Sequence, residues 1–330
     1  MSRKILRRLS LVLFALSAVC ALTASPTFAI APAGQTISPT YDSVVRVLID
    51  EGLPGGQGFF EGTGSVVGNT NVNGNGYLWI LTADHVVSAT GAFGGTLNNG
   101  IGIAFGNSPT SSGNSVYYLN AKASPSNVFR YGSTGHQDLA VFGINYGPFD
   151  VTKDALAVDL VPATNAMPFT DIGFGNEGIA TANGYQAQNR YGTQRFYNQI
   201  INSLQTNFPV AGYIYTAAKF FIADPNDSDA PPHSGAALDA DSGSPMFSAG
   251  FNSTYYTDSQ FAVLAGITPA PQGGLFAYNS TEFGVALNRA TIDWVYASIG
   301  VPEPGMMGIV LIIAFVIVAR RSRQQPRLAF

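Results

Sequence analysis

Short, mostly apolar runs typical of β-strands recur through the middle of the chain. They lie at 43–49, 64–67, 77–81, 139–144, 170–174 and 261–267. Stretches rich in glycine and asparagine, such as 68–71 and 94–100, separate them, as turns do. Many short strands with few helices are typical of a sandwich or a barrel. The pattern therefore predicts an all-β fold.

One helix is predicted at the end of this region. Its apolar positions at helical spacing are Ile292, Val295, Tyr296 and Ile299. Either Asn288 or Thr291 can cap its first turn. Upstream, Pro162 and the stretch 163–168 predict a connector. We therefore expect two β-rich halves, 30–162 and 163–300, the second of which ends in the helix.

The beginning of the chain has the pattern of a secretory signal peptide. Basic residues precede an apolar run from Leu9 to about Leu22, and small residues follow up to Ala29. Cleavage after Ala29 would remove residues 1–29. Retention as a membrane anchor is the alternative, although the run is too short to span a bilayer comfortably. Because the only cysteine, Cys20, lies in this segment, the exported domain would have no disulfide.

The other end carries a second targeting pattern. Pro-Glu-Pro at 302–304 precedes an apolar run at 306–319, which is followed by an arginine cluster. As a helix the run would be roughly 21 Å long, short against a hydrocarbon core of about 30 Å. This order resembles the PEP-CTERM sorting signal of Gram-negative bacteria, which an exosortase recognises. The resemblance implies export to the periplasm, cell surface or extracellular matrix and removal of the short transmembrane segment in 301–330; a plain anchor is the alternative.

The region between the two ends, 30–300, is acidic. It has 8 basic and 19 acidic residues, which gives a net charge of −11. Since it has no basic cluster, nucleic acid and anionic membranes are not expected as partners. Contact with a membrane is expected only through the C-terminal segment.

A general base and its orienting acid can be selected from few residues. The chain has 3 histidines, namely His85, His136 and His233. His85 directly follows an apolar strand, where a rigid element presents a loop residue. Asp138, just before another strand, could bind the second ring nitrogen and fix the tautomer. Asp154 and Asp84 are its rivals.

The expected nucleophile is Ser242. It stands in Ala-Asp-Ser-Gly-Ser-Pro, 240–245, where Gly243 lets the turn tighten. A serine hydroxyl needs an imidazole to take its proton and backbone donors aimed at the developing oxyanion. Ser244 and Ser234 are competing hydroxyls that lack this neighbourhood.

These stretches resemble the catalytic blocks of the chymotrypsin/trypsin-like serine peptidase family. The blocks are Thr-Ala-Asp-His at 82–85, Asp-Leu-Ala-Val at 138–141 and Ala-Asp-Ser-Gly-Ser-Pro at 240–245. Their chain order, His then Asp then Ser, is that of the family. With further blocks the resemblance spans 43–299. It implies two six-stranded Greek-key β-barrels with a C-terminal helix, and catalysis without a cofactor or metal.

The resemblance also implies the role of each site residue. His85 would be the general base, Asp138 its orienting acid and Ser242 the nucleophile. The N–H groups of Ala240 and Ser242 would form the oxyanion hole. Because Ala240 replaces the family's glycine, we expect the cause of any impaired activity at this position.

Specificity and activation depend on single positions. Ala236 stands at the family's pocket base and has no carboxylate to bind Lys or Arg. The resemblance therefore implies a preference for small or apolar substrate side chains, unless Asp239 rebuilds the pocket.

Activation is implied by a second position. In the family the residue at Asp241 pairs with a freed N-terminal ammonium, which signal cleavage would supply here from Ile30.

The combined prediction is an exported serine endopeptidase that hydrolyses a protein or peptide substrate through an acyl-enzyme. Two alternatives stay open. One is an inactive homologue that acts as a surface or matrix-binding module, and the other is an esterase of the same fold. The polar region 178–235 yields no clear strand assignment.

Overall fold

A computed structural model describes most of the region between the two targeting segments. The described residues are 42–50, 59–72, 74–88, 96–97, 100–105, 116–119, 125–132, 137–148, 157–188, 193–210, 212–231, 234–238, 241–248, 259–268 and 271–300. The signal peptide, the C-terminal tail, Ile30, Asp239 and Ala240 lie outside them. The predictions made for those residues therefore stay predictions.

The first half of the domain forms one antiparallel sheet. Its strands are β1 (Val44–Asp50), β2 (Phe59–Val72), β3 (Asn75–Thr82), β4 (Gly100–Ala104), β5 (Val116–Leu119), β6 (Val128–Arg130) and β7 (Ala140–Pro148). They pair in the order β5-β4-β1-β2-β3-β7-β6. The β-branched residues of β1 favour this pleated, buried surface. Because β5 also contacts β7, the sheet is curved.

The second half forms one large and one small sheet. Its strands are β8 (Asp159–Leu160), β9 (Pro168–Gly173), β10 (Gly178–Thr181), β11 (Gly184–Ala187), β12 (Arg195–Ile200), β13 (Ser203–Val210), β14 (Tyr213–Phe221), β15 (Pro245–Ser248), β16 (Ser259–Thr268), β17 (Leu275–Ala277) and β18 (Thr281–Ala286). The large sheet has the order β12-β9-β15-β16-β18-β14-β13, with β8 parallel to β16. The small sheet has the order β10-β11-β17.

The all-β prediction is confirmed, but the predicted strand numbers are not reproduced. The described sheets have 7, 8 and 3 strands instead of six in each of two barrels, and none of their described pairings closes a ring. The additional strands β10–β14 come from the region 178–235. Strand β13 illustrates why the apolar pattern did not predict these strands. All of its residues are exposed or half-buried, so polar residues predominate along it and the apolar alternation is weak.

A helix, Arg289–Ser298, lies where the apolar stripe predicts it. The Asn288 side chain accepts the N–H of Thr291 at 3.0 Å, and the Asn288 N–H donates to Thr291 Oγ1 at 2.7 Å. This reciprocal capping box satisfies two backbone donors that the first turn would otherwise leave free. Ile292 and Val295 are buried in the core.

One hydrophobic core joins the two halves. It combines residues of β1–β3 and β7 with Tyr215, Phe247 and Val285 of the second half. The buried Ser65 hydroxyl in β2 donates to Gln260 Oε1 in β16 at 2.6 Å. The sheets therefore meet along a packed and hydrogen-bonded face.

No helix within the described ranges is long and apolar enough to cross a membrane.

Candidate active site

Strand register brings His85 and Asp138 together. In the antiparallel pair of β3 and β7, Thr82 lies opposite Ala140. Residues just after Thr82 therefore lie beside residues just before Ala140. The short helix Asp84–Val87 starts there and presents His85, while Asp138 immediately precedes β7.

The two side chains form a short charge-assisted contact. His85 Nδ1 lies 2.6 Å from Asp138 Oδ2, and the His85 backbone N–H donates to Asp138 Oδ1 at 2.8 Å. Asp138 is fully buried, whereas 18% of the His85 side chain is exposed. Because a carboxylate only accepts hydrogen bonds, we assign the proton to Nδ1. Nε2 is then left as an acceptor.

The environment favours the protonated form of His85. Burial lowers the pKa of His85, but the charge of Asp138, its hydrogen bond and the charge of Asp84 together raise it above the ordinary value of 6.5. A histidine that is poised to accept a proton beside a fixed carboxylate is suited to general-base catalysis.

Two tyrosines hold the carboxylates on either side of His85. Tyr215 O–H donates to Asp138 Oδ2 at 3.2 Å, and Tyr213 O–H donates to Asp84 Oδ2 at 3.0 Å. Asp84 also accepts from Arg130, through Nε and, at 2.6 Å, through Nη2. Asp84 is thus engaged by Arg130 and Tyr213, and Asp138 is the acid that contacts the imidazole.

The Ser242 turn packs against the strands that lead to His85. The Ser242 carbonyl accepts the N–H of Thr63 in β2 at 2.9 Å, and the Gly243 N–H donates to the Leu264 carbonyl at 2.9 Å. Thr63 is in turn bound to β3, because Thr82 Oγ1 donates to its carbonyl at 2.7 Å. Ser242 therefore lies beside the end of β3. His85 follows three residues after the last residue of this strand, Thr82.

Only glycine fits at position 243. Its φ is +88°, in the left-handed region, and a Cβ there would lie 2.1 Å from Thr82 Oγ1 and 2.2 Å from the Thr63 carbonyl oxygen. The turn can approach β2 and β3 this closely because the side chain is absent. Pro245 then begins β15 opposite Val263, and the first position of a strand is one where a proline is tolerated.

Ser242 is half-buried. Within the described residues, no hydrogen bond joins its hydroxyl to His85 and no acceptor takes its N–H. In structures without a substrate the bond between nucleophile and base is often long. Of the three residues predicted to form the site, His85 and Asp138 are in direct contact, and Ser242 is held beside them through its backbone.

The carboxylate of Asp241 is fixed beneath the turn. Its Oδ1 accepts the Gly175 N–H at 2.7 Å and its Oδ2 accepts the Leu238 N–H at 2.9 Å, and it is fully buried. Ala236, the predicted pocket residue, is also fully buried and belongs to a small apolar cluster with Tyr185 and Leu238.

Two further buried acids lie in the second half and were not foreseen. Asp171 accepts the Ser244 hydroxyl at 2.7 Å, and Glu282 accepts the Tyr197 hydroxyl at 3.4 Å. Burial, and then the charge of Asp241, raise the pKa of Asp171; burial, and then the charge of Asp171, raise the pKa of Glu282. The sequence gives little sign of them, because each stands inside an apolar strand where its side chain could equally face solvent.

No group of three or more His, Cys, Asp or Glu side chains in the described part of the chain is arranged to hold a metal ion.

Comparisons with protein-family models and with curated proteins give no match. Among solved structures the chain is similar to the crystal structure of the protease Anisep from Arthrobacter nicotinovorans. The two share 14% sequence identity with a TM-score of 0.47, over 79% of this chain and 96% of that chain. A similarity of this size defines neither a family nor an activity. The structure itself shows a mostly β protein in which a partly exposed His85 contacts the buried Asp138 near a serine turn.

Proposed function

We propose that the protein is an exported serine endopeptidase of the chymotrypsin type, with Ser242 as nucleophile, His85 as general base and Asp138 as orienting acid. The observation that carries the proposal is the 2.6 Å contact between His85 Nδ1 and the buried carboxylate of Asp138, beside the Ser242 turn. A buried carboxylate is costly unless it is paired. Here its partner is His85, which follows the strand that is linked to the serine turn through Thr82 and Thr63.

The chemistry follows from the tautomer of His85. With Nδ1 protonated, Nε2 can take the proton of the Ser242 hydroxyl as its oxygen attacks the peptide carbonyl. The imidazolium then returns that proton to the leaving amine as the C–N bond breaks, which leaves an acyl-enzyme. A water molecule, deprotonated by Nε2 of the same imidazole, then attacks the acyl carbon. The ester C–O bond breaks, the acid product leaves, and the imidazolium returns the proton to the Ser242 oxygen. No cofactor enters this sequence.

The oxyanion would be bound by the N–H groups of Ser242 and Ala240. Removing one such donor typically costs about 10²–10³ in kcat. Residue 240 needs a positive φ if its N–H is to point towards the oxyanion, and an alanine in that conformation is strained by roughly 1–2 kcal/mol. Glycine at position 240 relieves this strain. We therefore expect Ala240→Gly to raise kcat. A lower kcat in this variant would remove Ala240 from the proposed hole.

The substrate preference is proposed to be small or apolar on the acyl side of the scissile bond. Ala236 offers no charge. Glu282 accepts a backbone hydrogen bond from the adjacent Ala237, and burial together with the charge of Asp171 raises its pKa and favours its neutral form. A neutral carboxyl group is a weak counter-ion for Lys or Arg. Cleavage of a peptide library exclusively after Lys or Arg would contradict this preference.

Export and activation are part of the proposal. Signal cleavage would free Ile30, whose ammonium would pair with Asp241, and an exosortase would remove the tail. Asp241 is the suited partner because its carboxylate is buried beneath the Ser242 turn and fixed by two backbone N–H groups. Terminal sequencing of active protein from its host is expected to begin at Ile30 and to end before the arginine cluster. Full activity with another first residue would eliminate the activating role of Ile30.

Hydrolysis of matched peptide and ester substrates tests the enzymatic function. We expect hydrolysis of peptides by the wild type and its loss, by at least about 10³-fold, in Ser242→Ala. Ser244→Ala is the matched control: it removes a hydroxyl two residues away that is bound to Asp171, and it should keep most of the activity. Ester hydrolysis without peptide hydrolysis would assign an esterase instead.

A non-catalytic binding module is the second candidate. It is favoured by Ala240, which stands where the resembled family has a glycine that supplies one oxyanion donor. Such a module would neither react with a fluorophosphonate nor turn over either substrate.

A further inference from the structure

Tyr213 and Tyr215 form a pair at the start of β14. Strand alternation places both on one face, and both are buried, with 2% and 3% of their surface exposed, whereas Ile214 between them is 44% exposed. Their rings lie 5.9 Å apart. Each points its hydroxyl at a different aspartate beside His85.

Tyr215 is anchored in the second half of the molecule. Its ring packs edge-on against Phe283 of β18 at 5.1 Å and near Phe208 of β13 at 6.4 Å. Its hydroxyl reaches across to Asp138, which belongs to the first half. Ser242 lies in the second half as well. The contact therefore ties the acid that orients His85 to the half that carries the serine.

Tyr215 donates to the same oxygen of Asp138 that contacts the imidazole of His85. Asp138 Oδ2 accepts both the Tyr215 hydroxyl and His85 Nδ1, while Oδ1 accepts only the His85 backbone N–H among the described residues. A second donor on Oδ2 restrains rotation of the carboxylate and shares its negative charge. Both effects act on the imidazole. Burial raises the pKa of Tyr215 far above 10, so its hydroxyl stays a donor.

We propose, on the basis of the function proposed above, that Tyr215 is a positioning residue of the triad. Its hydroxyl fixes Asp138 Oδ2 and thereby sets the orientation and basicity of His85 relative to Ser242. Tyr213 provides the matched comparison, because Asp84 keeps both hydrogen bonds from Arg130 when the Tyr213 hydroxyl is removed. The charged and titratable groups around His85 within the described structure are Asp84, Asp138, Arg130, Tyr213 and Tyr215.

Kinetics of Tyr215→Phe and Tyr213→Phe test this role. Tyr215→Phe is expected to lower kcat about tenfold, or about 1.4 kcal/mol of transition-state stabilisation, with KM changed less than about twofold. Because Asp138 loses a donor, its charge acts more strongly on His85, and the acidic limb of kcat/KM moves to higher pH. Tyr213→Phe, which removes an equally buried hydroxyl, should change kcat less than about threefold and leave the acidic limb in place.

An NMR titration of His85 tests the same contact without turnover. In the Ser242→Ala protein, Tyr215→Phe should raise the pKa of His85, with His85→Gln identifying its signal among the three histidines. If Tyr215→Phe does not fold, 3-fluorotyrosine placed at position 215 keeps the ring and strengthens the donor, and it should lower the pKa of His85.

The two proposals can fail separately. If neither change at position 215 moves the pKa of His85, or if Tyr213→Phe moves it equally, the positioning role is wrong while the triad stands. If the pKa responds but the wild-type protein hydrolyses neither peptides nor esters, the contact stands and the peptidase assignment is wrong.

Discussion

At the scale of single residues, the site depends on side chains whose neighbours leave them little freedom. Asp138 is bound through both oxygens, and Gly243 occupies a position where no side chain fits. His85 and Asp138 could be predicted from sequence because each follows or precedes an apolar strand. Tyr215 could not, because its segment lacks a clear apolar alternation; the only signal is Tyr-Ile-Tyr at 213–215.

Gly243→Ala is expected to destabilise the fold strongly. A non-glycine residue at φ +88° costs about 1–2 kcal/mol, and the clash of Cβ with Thr82 and Thr63 adds about 1–3 kcal/mol. Gly74→Ala is the control, since Gly74 has φ +82° and no atom within 4 Å of the added Cβ. Urea unfolding should show the larger loss for Gly243→Ala. Equal losses would mean that the close approach of the turn to β2 and β3 is wrong.

Glu282→Gln is expected to change how stability depends on pH. The pKa of Glu282 is raised in the folded protein, so the folded side chain keeps its proton to higher pH than the unfolded one does. The stability that protonated Glu282 contributes is therefore fully present below about pH 4.5 and is lost as pH rises through the folded pKa. Glutamine removes this loss. Thermal unfolding should show the variant gaining stability over the wild type as pH rises above about 4.5. Asp293→Asn, on the terminal helix, controls for the change in net charge. A difference between Glu282→Gln and wild type that does not change as pH rises contradicts the prediction.

At the scale of elements, register does most of the positioning. The pairing of Thr82 with Ala140 aligns the end of β3 with the start of β7, and this alone brings His85 to Asp138. The predicted strands that flank these residues were apolar enough to be recognised from sequence. The strands that complete the second half were not. Strand β13, for example, has no fully buried residue: it pairs with β14, and only Leu204, Phe208 and Val210 pack against the core.

Asn288→Ala is expected to weaken the terminal helix without affecting the site. Loss of the cap should lower the free energy of unfolding by about 1 kcal/mol, because the Thr291 N–H loses its acceptor. Arg289→Ala, which removes a largely exposed side chain and its ion pair with Asp293 one helical turn away, should cost no more than about 0.5 kcal/mol. Chemical unfolding measures both. A cost for Asn288→Ala no larger than that of the control would show that the cap does not stabilise the helix.

At the scale of the whole molecule, the proposed triad is divided between the two halves. The first supplies His85 and Asp138, and the second supplies Ser242. They are joined by a common core, by the Thr63 to Ser242 backbone hydrogen bond and by Tyr215. The sequence predicts the three residues and their order, whereas the cross-contacts that bring them together depend on the packing of the sheets and emerge only from the structure.

The most direct test of the proposed triad is the reaction of the exported domain with a fluorophosphonate, followed by intact-mass measurement and peptide mapping. We predict one adduct per chain on Ser242 and no adduct in Ser242→Ala. Asp138→Asn should react at least about 10³-fold more slowly. Ser244→Ala should still be labelled. No adduct on folded wild-type protein, or an adduct that persists in Ser242→Ala, would contradict the proposed catalytic function.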